Sequence, residues 1–247
     1  MVENTSHKPS EPHSETPRVL LLYYSFSGQT TGLLNNIAAG LKRQGIEVND
    51  IRLRPVTLLR FPIGSIPATI RMMLTTFLRA RVTIKEPEAV IWDDYDLIIL
   101  AGPTWSYNPS GPILDLIDRF GPRLFKDKKV LPVISCRGYW RMHWFGLKKM
   151  LEKCGANVAN RIVFSHPTPE PWRTLGVFLK IAGKAPERSK LLGRHYQRYG
   201  HSKQQLEQAE QLGEAIGACL RKRESLADLD LNPPMPFPNS DYPPAGG

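Results

Sequence analysis

The stretch that decides the fold is residues 18–31, which read R-V-L-L-L-Y-Y-S-F-S-G-Q-T-T. Its first seven residues form an almost continuous apolar run of strand length, typical of a strand covered on both faces in a parallel sheet. The polar loop after it opens a helical pattern that Gly45 ends. The apolar residues of that helix are Leu33, Leu34, Ile37, Ala38 and Leu41. A second strand at about 46–52 completes a strand–helix–strand unit.

This unit repeats along the chain. Further strands are predicted at 96–101, 130–135 and 158–164, and further helices at 112–120, 143–154 and 202–220. Five strands that alternate with helices predict an α/β fold, a doubly wound five-stranded parallel sheet with helices on both faces. Two helical insertions, 53–90 and 165–200, interrupt the alternation. Their amphipathic pieces, 66–81 and 172–184, have apolar residues at helix spacing.

Composition excludes several classes of protein. The chain has 247 residues, of which 41% are hydrophobic, so it has ample material for a core and is not wholly disordered. It contains no apolar run of 18 residues and no signal-peptide pattern, so we expect a soluble, cytoplasmic protein. Its three cysteines have no CxxC spacing, which disfavours a disulfide framework or a zinc site.

The charge is unevenly distributed. Residues 1–17 and 225–247 hold nine of the 22 prolines and carry −2 and −3, so they are predicted to be disordered tails. The net charge of the whole chain is +10, so the single domain between the two acidic tails, 18–224, carries +15. Residues 52–85 have seven bases and no acid, and 172–203 have eight bases and one acid. Such charge would attract a phosphate-bearing cofactor or an anionic membrane, or would simply face water while the helices pack on the domain.

Three loops follow predicted strands, at the edge where open α/β sheets bind ligands. The first, Ser25-Phe26-Ser27-Gly28-Gln29-Thr30, combines hydroxyls, a glycine and a helix N-terminus. These features make an anion cradle, or else an ordinary Ser/Thr helix cap. The loop has no lysine and fits neither the nucleotide-triphosphate loop nor the dinucleotide fingerprint.

The second and third loops, 102–112 and 135–140, carry aromatic residues. Trp105, Tyr107, Tyr139 and Trp140 have flat faces that suit stacking on an aromatic ring, although they could instead pack the loops. Two of their neighbours also have alternative interpretations. Arg137 would stabilise an anionic ring, bind a phosphate or remain solvated. Cys136 would be a redox thiol or a small buried residue. We assign no chemistry to His143, His166, His195 and His201, which lack metal-like spacing.

The first loop resembles the FMN phosphate loop of flavodoxin-fold proteins, Ser/Thr-x-Ser/Thr-Gly-x-Thr. The other two loops are similar to the segments that contact the flavin in flavodoxin-like reductases, and the resemblance covers roughly 18–53 and 92–164. Asp115 or Leu114 stands where those enzymes often have lysine. The resemblance implies FMN as cofactor and NAD(P)H as reductant. The implied cofactor-binding residues are Ser25, Ser27, Gly28, Gln29, Thr30, Pro103, Thr104, Trp105, Ser106, Tyr107, Asn108, Cys136, Arg137, Gly138, Tyr139 and Trp140.

The chain also resembles, more faintly, flavodoxin-fold proteins known as dialkylresorcinol-condensing enzymes, through 22–25 and Cys136-Arg137 with Trp140. No nucleophile–base pair can be located, so no condensing activity is inferred.

The sequence therefore favours an FMN-dependent oxidoreductase that passes electrons from NAD(P)H to a quinone-like or other small aromatic acceptor. The alternative is a flavodoxin-type electron-transfer protein without pyridine-nucleotide activity, although such carriers tend to be small and acidic. The resemblance allows a homodimer, and the basic insertions allow peripheral contact with an anionic membrane. Nucleic-acid binding is disfavoured because no recognition motif is present.

Overall fold

The structure is a computed structural model that describes residues 16–196 and 199–232. Its sheet has five parallel strands and one short antiparallel strand. The strands are β1 Arg18–Tyr23, β2 Glu47–Arg52, β3 Leu97–Trp105, β4 Asn108–Pro109, β5 Val130–Cys136 and β6 Ile162–Ser165. The α-helices are α1 Gln29–Arg43, α2 Ile66–Phe77, α3 Gly111–Leu124, α4 Arg141–Lys153, α5 Trp172–Ile181 and α6 Lys203–Lys222. Short 3-10 turns are found at Ala89–Trp92, Pro186–Arg188 and Leu226–Asp228.

The strand order across the sheet is β2-β1-β3-β5-β6, and each neighbouring pair is parallel. Strand β4 pairs only with the end of β3, through a tight turn at Ser106 and Tyr107. When the five parallel strands are numbered along the chain, their order is 2-1-3-4-5, the order of the flavodoxin-like doubly wound fold. The predicted fold class is therefore confirmed. The predicted last strand at 158–164 begins later, at Ile162, and β3 extends to Trp105.

Strand β1 lies between β2 and β3 in the sheet and is covered on both faces. Val19, Leu21 and Tyr23 enter the apolar layer that includes residues of α1 and α6. Leu20 and Leu22 enter the opposite layer, with residues of α3 and α4. Because both faces of β1 meet a helical layer, the strand reads as a continuous apolar run and not as an alternation.

Helices α1 and α6 approach each other closely at two glycines. A Cβ atom on Gly40 would lie 2.1 Å from the backbone oxygen of Glu210, and one on Gly213 would lie 2.2 Å from that of Ile37. Any side chain at either position would therefore push the helices apart. This packing holds the end of the chain against the sheet after the second insertion.

The packed domain extends beyond the predicted boundary at residue 224. Leu226 and Leu231 are buried in the same layer as α1 and α6, and the Asn160 side-chain amide donates to the carbonyls of Leu226 and Leu229. Residues 225–232 of the predicted tail therefore belong to the packed domain, because two of their leucines fill the core. The rest of that tail, and residues 1–15 of the other predicted tail, lie outside the described residues.

The two insertions meet at the carboxyl edge of the sheet. The amide of Ile63 donates to the carbonyl of Ile181, at 2.8 Å, which joins the start of α2 to the end of α5. The side-chain amide of Asn108 lies 3.2 Å from the carbonyls of both Thr76 and Phe77 and so anchors the end of α2 to the second loop. Both insertion helices therefore stand over the loops that follow β3 and β5.

Helix α2 packs on the domain with its polar side. The buried residues of α2 are Thr69 and Thr76, whose hydroxyls donate to backbone carbonyls one turn earlier. The apolar residues whose spacing predicted the helix are mostly exposed, with fractions of 47% for Ile70, 62% for Leu74, 57% for Phe77 and 78% for Leu78. Periodicity identified the helix, but it could not tell which face would be covered.

Candidate functional site

The three loops singled out in the sequence lie side by side. They follow β1, β3 and β5, which are consecutive in the sheet. The connection after β1 leads to α1 and back to β2 on one side, while β3 continues the sheet on the other. This reversal of strand order is the switch point of the fold, where a crevice opens outside the carboxyl ends of the strands.

The first loop is both a helix cap and an open cradle. Ser25 is buried, and its hydroxyl accepts from the amide of Thr31 at 3.3 Å, so Ser25 braces the loop from within. Gly28 has φ 84°, the left-handed conformation that suits glycine, and a Cβ atom there would meet nothing within 4 Å. The N–H groups at the start of α1 have no partner within the helix and therefore favour an anion in that open space.

A cavity lies at the switch point. Half of the residues that line it are predicted cofactor-binding residues, namely Ser27, Gln29, Thr30, Pro103, Thr104, Trp105, Cys136 and Arg137. The other lining residues were not among the predicted cofactor-binding residues: Phe26, Ser135, His166, Val177, Ile181, Tyr199, Gly200 and His201. Most of the latter come from the second insertion and the turn before α6.

A second cavity adjoins the first and lies between α2, α5 and the loops after β3 and β5. Its wall is mostly apolar, and Arg137 is the charged residue that it shares with the first cavity. Tyr107 and Tyr139 meet edge to face across it, with ring centroids 5.6 Å apart. The guanidinium carbon of Arg137 lies 5.4 Å from the centroid of Tyr139. The predicted aromatic residues Tyr107 and Tyr139 thus line this cavity.

Five predicted residues line neither cavity: Ser25, Gly28, Asn108, Gly138 and Trp140. Trp140 packs against the core, and the guanidinium carbon of Arg161 lies 4.9 Å from its ring centroid. The Ser106 hydroxyl donates to the carbonyl of Met73 in α2, so it is engaged in holding that helix. Among the aromatic residues, the stacking alternative therefore suits Tyr107 and Tyr139. The packing alternative suits Trp140 and also Trp105, which is buried edge to face against Tyr24 and Phe26.

A buried ion pair supports the third loop. The Arg173 side chain is 4% exposed, and its Nε atom lies 3.0 Å from Oε1 of Glu170. A Cβ atom on Gly138 would come within 2.7 Å of the Arg173 guanidinium, so glycine allows the loop to lie directly on it. The sequence signal for this contact was weak, because Arg173 is one of eight bases in its segment.

Two buried histidines, His166 and His201, line the cavity, and a third, His143, contacts the lining residue Thr104. The sequence analysis assigned no chemistry to any of the three. Nδ1 of His143 is 2.7 Å from the hydroxyl of Thr104, and Nε2 of His201 is 2.9 Å from that of Ser135. The His166 ring stacks on Tyr196 with centroids 5.3 Å apart. Burial lowers the pKa of His143 and of His166 to about 3 and that of His201 to about 4, so all three are neutral near pH 7.

Residues 199–201 close over the first loop. The Tyr199 hydroxyl donates to that of Ser27 at 3.0 Å, and the amide of His201 donates to the side chain of Gln29 at 3.0 Å. The Tyr199 ring stacks on Phe61 of the first insertion, with centroids 5.5 Å apart. These contacts join segments 172 residues apart, and no local pattern could have indicated them.

Cys136 does not have the character of a reactive thiol. It is 8% exposed, and burial raises its pKa to about 11, so the thiol stays protonated at neutral pH. Asp115, at the position where similar reductases often have lysine, is also structural. Its carboxylate accepts from the amide of Ile84 at 2.9 Å and pairs with Arg119 at 3.1 Å.

Within residues 16–196 and 199–232, no cluster of potential ligands suits a metal ion. No helix in the same part of the chain is long and apolar enough to cross a membrane.

No protein-family model matches the chain. Among solved structures, the chain is similar to a flavoprotein in complex with FMN from Lactobacillus acidophilus NCFM, with 18% identity, a TM-score of 0.47, and coverage of 60% of this chain and 93% of that one. It is also similar to a flavodoxin from the domain Archaea, with 13% identity, a TM-score of 0.45, and coverage of 83% and 99%. A flavodiiron protein from Giardia intestinalis is similar at 14% identity, with a TM-score of 0.46 and coverage of 84% and 38%. The fold assignment rests on the strand order and not on these values.

Proposed function

We propose that the chain is an FMN-dependent oxidoreductase that passes electrons from NAD(P)H to a quinone-like or other small aromatic acceptor. One observation carries this proposal. The switch-point cavity has an anion cradle at the start of α1, and it continues into an apolar cavity bordered by Tyr107 and Tyr139. A ligand with a phosphate at one end and a flat aromatic ring at the other matches these two environments, with the phosphate in the cradle and the ring in the apolar cavity.

An unpartnered buried atom supports a ligand in the cavity. Nε of Arg137, which lines the cavity, is buried and finds no hydrogen-bond acceptor among the described residues. A buried donor without a partner is costly, and the cost is removed when a ligand offers an acceptor. The residues present therefore fit FMN.

The chain's own groups would act as follows. The N–H groups of α1 and the hydroxyls of Ser27 and Thr30 would bind the phosphate, and Tyr199 would orient the Ser27 hydroxyl by donating to it. Arg137 would donate to an oxygen or nitrogen of the ring and favour negative charge on it. Trp105, with the two insertion helices, would exclude water. FMN would supply the hydride and electron-transfer chemistry when bound.

The apolar cavity between α2 and α5 is the proposed acceptor site. Met73, Phe77 and Phe178 offer apolar contacts, while Arg137 at its inner end can donate to a carbonyl oxygen. A flat, apolar molecule that carries oxygen atoms, such as a quinone, matches this lining. An electron carrier would instead need an open flavin edge, whereas here the two insertions stand over the loops that follow β3 and β5.

The test is the visible spectrum of the purified chain with added FMN, before and after NADPH or NADH is added without oxygen. We expect FMN to bind, to bleach with a pyridine nucleotide and to be reoxidised by a quinone. A chain that binds no FMN would contradict the proposal. Bound FMN that only a partner reductase can reduce would favour the flavodoxin-type carrier.

A charge variant locates the phosphate. Ser27→Asp places a carboxylate beside the cradle, and we expect FMN binding to weaken about a hundredfold through like-charge repulsion and loss of a donor. Ser225→Asp is the matched control. Its hydroxyl caps the turn at Leu226–Asp228, a role that aspartate also fills, so FMN binding should not change. Equal affinities for the two variants would place the phosphate elsewhere.

A further inference from the structure

The exposed apolar side chains gather at one edge of the domain. In the described part of the chain, the large apolar residues with the highest exposure are Val56, Leu58, Ile66, Ile70, Leu74, Phe77, Leu78, Tyr139, Met142, Phe145, Leu175 and Leu191. Each belongs to one of the two insertions, to the loop after β5 or to the first turns of α4. All of these segments follow the carboxyl ends of strands, so the residues lie along the same edge of the sheet. We call this set the apolar edge.

The apolar edge surrounds the mouth of the second cavity. Leu74 and Phe77 of α2 and Tyr139 of the third loop belong both to the edge and to the cavity lining. The hydrogen bond between Ile63 and Ile181 holds the two insertions together beside it. An apolar surface built from several segments around a cavity mouth is larger than the scattered exposed residues that are ordinary on proteins.

The positive charge around the apolar edge indicates which kind of partner surface could cover it. Residues 52–85 supply seven bases and no acid, and Arg54, Arg60 and Arg71 among them are exposed. A second copy of the chain would bring these like charges together, which disfavours self-association through this face. An anionic lipid surface offers phosphates to the arginines and an apolar interior to the leucines.

We propose that the apolar edge docks on the surface of an anionic lipid bilayer. Its apolar side chains enter the boundary between headgroups and acyl chains, and its arginines contact lipid phosphates. The protein then lies on the membrane without crossing it. If the proposed function holds, the acceptor cavity opens toward the bilayer and takes lipid-soluble molecules from it.

The test is sedimentation of the full chain with phosphatidylcholine vesicles that either contain or lack phosphatidylglycerol, at low and high salt. It is performed without FMN or reductant, so its outcome is independent of the proposed chemistry. We expect binding to the anionic vesicles alone, weakened by salt. Absence of binding to anionic vesicles at low salt overturns the proposal.

Two variants test whether the apolar edge is the surface that binds. Ile70→Ser with Leu78→Ser removes exposed apolar contacts outside the cavity lining, and Arg71→Glu reverses a charge on α2. We expect each to weaken partitioning about tenfold or more. Lys126→Glu, an equal charge change in the exposed turn before β5 at the opposite edge, should have a much smaller effect.

Two results would contradict the assignment even if the chain binds vesicles. One is equal weakening by Arg71→Glu and Lys126→Glu, which would indicate attraction by net charge alone. The other is a dimer in analytical ultracentrifugation that Ile70→Ser with Leu78→Ser abolishes, which would show that a second copy covers the edge. Circular dichroism of each variant confirms that it is folded.

Discussion

Acid should destabilise this protein through the histidines around its cavity. His143, His166 and His201 are buried, with folded-state pKa values of about 3, 3 and 4, compared with 6.5 for a free imidazole. Because the folded-state values are lower, the unfolded chain takes up these protons first as the pH falls. The stability associated with the neutral histidines is complete above pH 6.5 and is lost as the pH falls toward the folded-state values.

The magnitude at pH 5 follows from the shifts. Each histidine that is neutral when folded and free to titrate when unfolded costs about 2 kcal/mol of stability at pH 5 relative to neutral pH. This figure requires only that the folded-state pKa be below 5, which holds for all three. Together they amount to about 6 kcal/mol, which is comparable to the whole free energy of unfolding of many domains.

The assay is urea unfolding, followed by circular dichroism, of the wild type and of His201→Gln at neutral pH and at pH 5. Glutamine can still hydrogen-bond Ser135 but does not titrate. We expect the variant to lose about 2 kcal/mol less between the two conditions than the wild type does. His195→Gln, which alters an exposed histidine stacked on Trp172, controls for the substitution itself.

Two outcomes would refute the reasoning. If His201→Gln and the wild type lose equal stability on acidification, the His201 imidazole is not held neutral by burial. If His195→Gln has the same effect as His201→Gln, the change does not come from the histidines around the cavity.

Three further predictions concern packing and ligand binding. Gly213→Ala should lower the free energy of urea unfolding by about 1–3 kcal/mol because its Cβ would meet the backbone of α1, whereas Gly146→Ala, with open space in α4, should leave it unchanged or raise it. Arg137→Met removes a buried unpartnered donor, so the FMN-free protein should be no less stable in urea, while fluorescence titration should show about tenfold weaker FMN binding. Tyr199→Phe loses the hydroxyl beside Ser27, and we expect about fivefold weaker FMN binding with a small change in the unfolding midpoint. Unchanged FMN binding in the last two variants would place the ligand outside this cavity.

The sheet was predictable because its information is local. Residues 18–24 form an apolar run that only a strand covered on both faces explains, and Gly45 ends the helix that follows. Repetition of this unit, together with the rule that ligands bind at strand carboxyl ends, predicts that the three loops lie together. Half of the lining of the first cavity was therefore named from sequence.

The other half depends on contacts between distant segments. Tyr199 reaches Ser27, and His201 reaches both Gln29 and Ser135, because α6 packs on α1 and so brings the residues just before α6 to the loop after β1. Neither residue stands in a motif. The third loop likewise lies on Arg173, whose burial depends on the fold of the second insertion.

Three features could be predicted from the order and type of neighbouring residues alone. They are the alternation of strands and helices, the hydroxyl, glycine and aromatic residues of the three loops, and the concentration of positive charge in the insertions. Only the tertiary structure decided the direction in which those insertions face. Helix α2 has an apolar stripe that predicts burial, yet Thr69 and Thr76 are buried and Leu74 and Leu78 are exposed. Helical spacing shows that a stripe exists, whereas the surface that covers it is set by which other segments reach it.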